Sequence, residues 1–307
     1  MRRLALAALL ALSGTGAARA SGSPTLRRSL STRASAMADA YSAVPGGLSS
    51  LGYNPAGLSA VSRPELESTF ESGVLDDTFG FFGWSQPLPL GSAAVGLSYY
   101  DGGKVDLRFA NGTTQIRTAQ RDFVGHLGWG VALPCGFSLG ATGKYYRFEL
   151  AQEARAAGAA GDAGLQWKTP LKGLTLGAAV QNAGPGVKFE QETDPLPLTT
   201  RGGVSWSWRT GDAKDVNSDL TRTRVLVAAE AVKVRDEAIT GGLGGELAMD
   251  FGPTTSIALR TGWRFNSDST RLTLGLGVRE GRFTLDYALN DQRSLGQSHH
   301  VGLGVRF

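Results

Sequence analysis

The sequence predicts an all-β fold: a 14-stranded antiparallel transmembrane β-barrel with an N-terminal hatch or plug segment. Three observations predict it. From about Glu65 onward apolar and polar residues alternate with period two, the period of a strand with one apolar face. The alternating runs span about 9 to 13 residues, whereas soluble strands centre on about five or six and bilayer-crossing strands need about 9–11. Aromatics gather towards the strand ends, at Trp84, Tyr99, Trp129, Tyr145, Trp167, Trp208, Trp263 and Tyr287, where interfacial girdles sit. A soluble antiparallel sandwich also alternates, but it requires neither that length nor that placement of aromatics.

Composition removes other classes. The chain has 307 residues, 41% hydrophobic and 19% charged, with 43 Gly and a single Cys. One Cys excludes a disulfide scaffold and a Cys-built metal site. The apolar content argues against a disordered chain, and no run of about 18 apolar residues offers a spanning helix. The formal net charge is +4, and Arg2, Arg3 and Arg19 supply most of it. The remainder is near neutral, which gives no electrostatic footprint for nucleic acid.

Residues 1–20 read as a secretory signal peptide. Arg2 and Arg3 form the charged region, Leu4 to Leu12 the apolar region, and Ala18-Arg19-Ala20 a small-x-small cleavage site. Cleavage leaves Ser21 first, with no Cys there for a lipid anchor. An exported chain then carries Cys135 unpaired, which is tolerable if that thiol is buried or slow to react.

Residues 21–64 do not alternate, and they form the expected hatch segment, periplasmic or luminal. Arg33 to Val44 is helix-compatible, with Ala36, Met37, Ala40 and Tyr41 as an apolar stripe. Leu48, Leu51 and Leu58 add to it. A periplasmic linker is the alternative, but a linker has no use for those apolar residues. In the motif Asn54-Pro55-Ala56-Gly57, Pro55 fixes its own φ and biases Asn54 away from helix.

Residues 65–307 form the expected barrel. Strands are predicted at roughly 65–73, 77–87, 92–101, 120–133, 137–150, 158–169, 173–183, 199–210, 223–235, 238–251, 255–266, 270–279, 282–290 and 298–307. The even number suits single-chain bacterial barrels. The connections fall into two alternating sets. Pro134-Cys135-Gly136, Gly252-Pro253 and Glu280-Gly281 are short, while Asp101 to Ala119, Ala151 to Ala157, Gly184 to Leu198 and Asp291 to Gln297 are longer. Short periplasmic turns and long outer loops place both termini in the periplasm and the barrel in a bacterial outer membrane.

The inward face carries His126, Lys144, Arg201, Glu230, Glu246, Asp250, Arg260, Arg264, Arg279 and Asp286. Facing lipid at mid-depth, each Arg or Lys would cost about 2–4 kcal/mol; facing the lumen, it can pair or be wetted. Gly96, Gly128, Gly177, Gly242, Gly244, Gly275 and Gly302 also point inward, leaving volume for water, a ligand or a plug. An open lumen would let inward Thr273 accept an arginine that outward Leu274 would not.

The order of an Ala-rich helix-like segment, Asn54-Pro55-Ala56-Gly57-Leu58 and fourteen strands resembles the outer-membrane long-chain fatty-acid transporter (FadL-like) superfamily. The chain resembles its PorV/PorQ-like branch more closely, through Asp162-Ala163-Gly164-Leu165, Leu176 to Gly184, Pro197 to Gly203, Leu259 to Trp263, Asp286-Tyr287-Ala288 and Gly296 to Phe307. Where branch members carry acidic residues after the hatch helix, this chain has Val44-Pro45-Gly46-Gly47. The last strand, with Val301, Leu303, Val305 and Phe307, resembles the terminal signal by which barrel-assembly machinery recognises such proteins for insertion.

The resemblance implies two functions. One is passage of hydrophobic small molecules through a hatch-plugged barrel; the other is a PorV-like role in binding or escorting exported proteins. A hydrophobic inward pocket at the hatch favours the first, and an exposed apolar patch on ordered outer loops favours the second. The expected partners are the lipid bilayer, the barrel-assembly machinery, and a hydrophobic ligand or an exported protein. No catalytic residue, metal or cofactor is expected. His126, His299 and His300 lack a serine presented beside them: Ser298 and His299 point to opposite faces of their strand.

Overall fold

The computed structural model describes residues 24–73, 76–108, 114–189, 192–210, 220–267, 270–292 and 296–307. The expected signal peptide, 1–20, lies outside the described residues. The strands are, in order, β1 Glu65–Ser72, β2 Thr78–Leu88, β3 Gly91–Asp101, β4 Lys104–Arg108, β5 Thr114–Thr118, β6 Gln120–Ala132, β7 Phe137–Leu150, β8 Ala154–Lys168 and β9 Leu174–Ala183. They continue as β10 Val187–Phe189, β11 Glu192–Asp194, β12 Thr199–Thr210, β13 Leu220–Val234, β14 Thr240–Phe251, β15 Thr255–Phe265, β16 Leu272–Glu280, β17 Phe283–Gln292 and β18 Gly296–Arg306. Fourteen of them close into one antiparallel barrel; β4 with β5, and β10 with β11, form two small hairpins outside it. Each barrel strand pairs with its neighbours along the chain, and β1 closes on β18 from Glu65↔Arg306 to Ser72↔His299.

Alternation sorts the residues by face as a two-residue period dictates. On β16, Leu274 is 44% exposed on the outside and Thr273 is fully buried on the inside. Outward Leu259, Leu276, Leu303 and Phe307 are all exposed. An apolar band of this extent is stable against hydrocarbon rather than water. Aromatic pairs mark its rims. Trp84 packs 5.4 Å from Phe307, and Phe137 stacks 5.4 Å from Trp167, both at the end that holds Phe307. The first described residues lie at the other end, where Arg27 pairs with Glu237, so the expectation of both termini on one side is not met there. Tyr99 and Phe123 pair at 4.9 Å towards the opposite end.

Three connections differ from expectation. The stretches 101–119 and 184–198 contain the two hairpins rather than irregular loops. The expected loop Ala151 to Ala157 shrinks, because β8 starts at Ala154 and pairs with Leu150. The row Ala156, Ala157, Gly158 has no hydrophobic alternation to read, yet its small side chains leave room for the stacked rings of Tyr146 and Phe148. Cys135 sits exposed in the turn between β6 and β7 with φ 61°.

Candidate functional site: the packed lumen

The N-terminal segment occupies the interior of the barrel. Ala34, Ala36, Met37, Leu48, Leu51, Ala56 and Leu58 are fully buried. They pack against inward residues such as Phe79, Phe81 and Ala94 on one side and Leu226 and Ala228 on the other. The segment holds little regular helix. One turn, Thr32–Ser35, is capped by the Ser31 side chain, and 3-10 turns follow at Leu48–Gly52 and Pro55–Ala60. The helix expected from Arg33 to Val44 stops at Ser35, because Ala38 and Asp39 take left-handed φ values of 55° and 56°. Their backbone turns to the wall instead: Ala38 N donates to Thr273 Oγ1 at 3.1 Å, and Thr273 Oγ1 donates to Ala36 O at 2.9 Å.

All seven inward glycines singled out from the sequence lie against this segment. A Cβ on Gly177 would overlap Ser42 O, and one on Gly128 would overlap Leu51. Gly242, Gly244 and Gly275 face Ala38, Met37 and Ala36, while Gly302 faces Thr32 and Gly96 touches Leu51. The volume they leave is therefore filled by chain. Gly140 and Gly164 carry the closest approach, to Pro55 and to the Asn54 side chain, where a methyl group would overlap backbone or amide. Close packing tolerates no such overlap.

The motif Asn54-Pro55-Ala56-Gly57 sits at this contact. Asn54 caps the following turn, its Oδ1 accepting from Ala56 N at 3.1 Å. Its Nδ2 donates to three carbonyls: Ser42 at 2.8 Å, Leu165 at 3.0 Å and Ala178 at 3.3 Å. One amide thus joins two parts of the segment to β8 and β9. Gln166 Nε2 reaches Ser42 O at 2.9 Å, and Ser205 Oγ reaches Ala43 O at 2.7 Å.

The predicted inward charges all face the lumen, and most are paired. Glu246 lies between Arg33 of the segment and Arg260, which reaches on to Asp286 at 2.6 Å. Glu230 pairs with Arg201 at 2.6 Å and accepts from the backbone N–H groups of Tyr41 and Ser42. Lys144 pairs with Asp162 and donates to Asn182, each at 2.8 Å. Arg264 pairs with Asp39, Arg279 meets Asp250 at 3.4 Å, and the His126 ring contacts Ser98 Oγ at 2.9 Å. Desolvation pushes the Asp39 carboxyl up, but Arg264, the Tyr53 hydroxyl and Arg201 outweigh it and hold the group below the usual carboxylate range.

Sequence reasoning missed the partners on the segment: Arg33, Asp39 and the amide of Asn54 as a bridge. A mixed-sign lumen needs counter-charges, so Arg33 and Asp39, flanking the apolar stripe, were the available signal. Ser298 does face a histidine, but it is His300, across 3.4 Å, with Asn290 on the same ring nitrogen. These groups are buried, so no nucleophile is presented. Among the described residues no cluster of three His, Cys, Asp or Glu is placed to hold a metal.

Among the described residues two cavities are defined in the lumen. The lower, about 140 Å³, lies at the end holding Phe307, between the segment and β13–β18 and β1. The upper, about 170 Å³, lies at the loop end between the segment and β9, β12, β13, β14 and β15. Both are lined mainly by charged and polar groups. Apolar packing instead occupies the loop end of β6–β8, where Val124, Tyr146, Phe148, Val187 and Leu196 cluster with Leu26 and Phe189 against them.

This fold aligns with a set of solved structures over most of the chain. The P. putida toluene transporter TodX aligns with a TM-score of 0.61 at 11% identity, over 90% of this chain and 98% of that one. The Ralstonia pickettii toluene transporter TbuX aligns at 0.56 and 12% identity, over 90% and 98%. A Pseudomonas aeruginosa FadL homologue aligns at 0.51 and 12% identity, over 91% and 98%. At these identities the likeness is one of fold. No family model matches the chain, and no curated protein matches it.

Proposed function

We propose that this chain is a bacterial outer-membrane barrel that transports or binds hydrophobic small molecules, with residues 21–64 as its hatch and the end of β18 on the periplasmic side. The observation that carries this reading is the likeness of fold to toluene transporters, over 90% of this chain and 98% of each of theirs. A second feature supports it. The apolar cluster of Tyr146, Phe148, Val187 and Leu196 stands at the loop-end mouth, with Leu26 of the segment against it. The cluster is closed by its own packing, and parting it would offer a hydrophobic molecule arriving from outside an apolar surface bounded by the hatch. The chain is read as non-enzymatic. The escort of exported proteins is not favoured, because the similar structures are those of hydrocarbon and related transporters; the PorV/PorQ-like branch rests on sequence resemblance alone.

The test is uptake. Cells lacking their own hydrophobic-compound transporter, carrying this protein, should take up radiolabelled toluene or a long-chain fatty acid saturably, above a vector control. Phe148→Asp should depress that uptake while leaving barrel assembly intact. No uptake of either compound by an assembled barrel would reject the transport reading. A stoichiometric protein co-purifying in mild detergent would favour the escort reading in its place.

A further inference from the structure

The two polar cavities share one wall and are almost continuous. On β14 the lower cavity reaches Glu246 and the upper reaches Gly242. One inward position, Gly244, separates them, and Met37 covers it. On β15 the lower cavity reaches Arg260 and the upper reaches Arg264, with Gly262 between, covered by Met37 and Ala38. Each gap spans four residues of strand, about 13 Å, and the one inward position at its middle is covered by a single turn of chain.

That turn is Ala36–Asp39. Its backbone lies flat on glycines, and side-chain contacts tie it on both sides of the barrier. Thr273 bonds Ala36 O and Ala38 N. Below, Arg33 pairs with Glu246; above, Asp39 pairs with Arg264. Two successive non-glycine residues hold left-handed φ there, a conformation kept only by such surrounding contacts. The linings carry both signs, and their arginines are paired: Arg27 with Glu237 and Arg28 with Glu71 and Asp77 above, Arg224 and Arg279 with Asp250 below.

We propose that the Ala36–Asp39 turn gates a second, polar route along the inner faces of β13–β15, which passes small hydrophilic solutes. The route is distinct from the apolar cluster on β6–β8, which lies across the lumen. Displacing the turn by the width of a side chain joins the cavities without moving the Asn54 anchor on β8 and β9. The cavity sizes limit the solutes to a few heavy atoms, such as small inorganic ions.

Planar-bilayer recording of the full-length protein tests this. The intact barrel should show rare, small conductance steps in potassium chloride. Thr273→Val with Asp39→Ala, which removes the ties, should raise step frequency several-fold. Gly262→Ala, whose methyl overlaps Ala38 N, should do the same by pushing the turn off the wall. Assembly is checked by heat-modifiable mobility. If assembled Thr273→Val/Asp39→Ala and Gly262→Ala barrels conduct no more than the intact one, the route does not exist. No hydrophobic substrate is present, so a failure of the transport reading leaves this result untouched.

Discussion

Arg33 and Glu246, 213 residues apart in sequence, form a two-armed ion pair between the luminal segment and the barrel wall: Arg33 Nε and Nη2 donate to Glu246 Oε2 and Oε1 at 2.6 and 2.7 Å. Arg260 Nε donates to the same carboxylate at 2.7 Å. Glu246 therefore neutralises two guanidinium groups, and its loss strands Arg33 and leaves Arg260 with Asp286 alone. Removing one partner of a buried pair costs about 3–5 kcal/mol. Glu246→Gln is expected to fall in that range, and Arg33→Met below it, because Glu246 then keeps Arg260. Urea unfolding of the barrel in detergent, followed by tryptophan fluorescence, measures both. Equal losses would show that Arg260 does not share the carboxylate.

Asn54 offers a sharper contrast between two near-isosteric changes. Its Nδ2 faces three carbonyl oxygens and its Oδ1 accepts from Ala56 N. Asn54→Ala removes the bonds and leaves buried acceptors without a donor, a cost of about 2–3 kcal/mol. Asn54→Asp should be worse, since it sets a carboxylate against those same carbonyls. Limited proteolysis within residues 24–64 should quicken in both variants, more in Asn54→Asp. If the aspartate variant resists proteolysis better than the alanine variant, the amide is flipped relative to the bonding described.

Face assignment can be tested with one arginine on each side. Leu259 is half exposed on the outer face of β15, and Leu259→Arg should lower assembly by placing a charge in lipid at about 2–4 kcal/mol. Thr284 lines the lower cavity, and Thr284→Arg should assemble near the intact level. Thr273 does not serve as the inner control that the sequence offered. It faces inward as expected, but Ala36 and Ala38 sit on it and leave no room. Outer-membrane fractionation at native expression reads the difference; equal assembly of Leu259→Arg and Thr284→Arg would invert the faces.

Acid should loosen the segment only at low pH. The Asp39 carboxyl is held below its unfolded range, chiefly by Arg264 against the push of burial. A group depressed in the folded state contributes fully above its unfolded value of about 3.9 and loses that contribution as pH falls through the folded value. Protease protection of the segment should therefore stay level from pH 8 to about 5 and fall only below about 4. Asp39→Asn should lower protection at neutral pH and flatten the acid-dependent part. A drop between pH 7 and 5 would assign the control to another group.

The strand order, the faces and nearly every strand boundary were legible because period-two alternation is local: each residue's neighbours two positions away state its side. Leu274 outside and Thr273 inside needed no tertiary knowledge. The inward position of Glu246, Arg260, Arg264 and Asp286 followed from the same rule. Where alternation is absent the reading slipped. Ala154–Ala157 reads as loop because its alanines carry no apolar contrast, and only pairing with β7 makes it strand.

The sequence by itself determined that this chain makes a closed barrel of fourteen strands with an apolar outside and a charged, glycine-bearing inside. Only the tertiary structure decided what those inward residues meet. Arg33 with Glu246, Asn54 with Leu165 and Ala178, and Ala38 with Thr273 are separated by 111 to 235 residues. No local pattern encodes such pairs, because the segment's fold is not its own. Arg33 to Val44 has the composition of a helix, yet it surrenders that helix after one turn, since the wall supplies the hydrogen bonds its backbone would otherwise make to itself. A β-strand's side is fixed by its neighbours in sequence. The shape of a chain packed inside a barrel is fixed by the barrel.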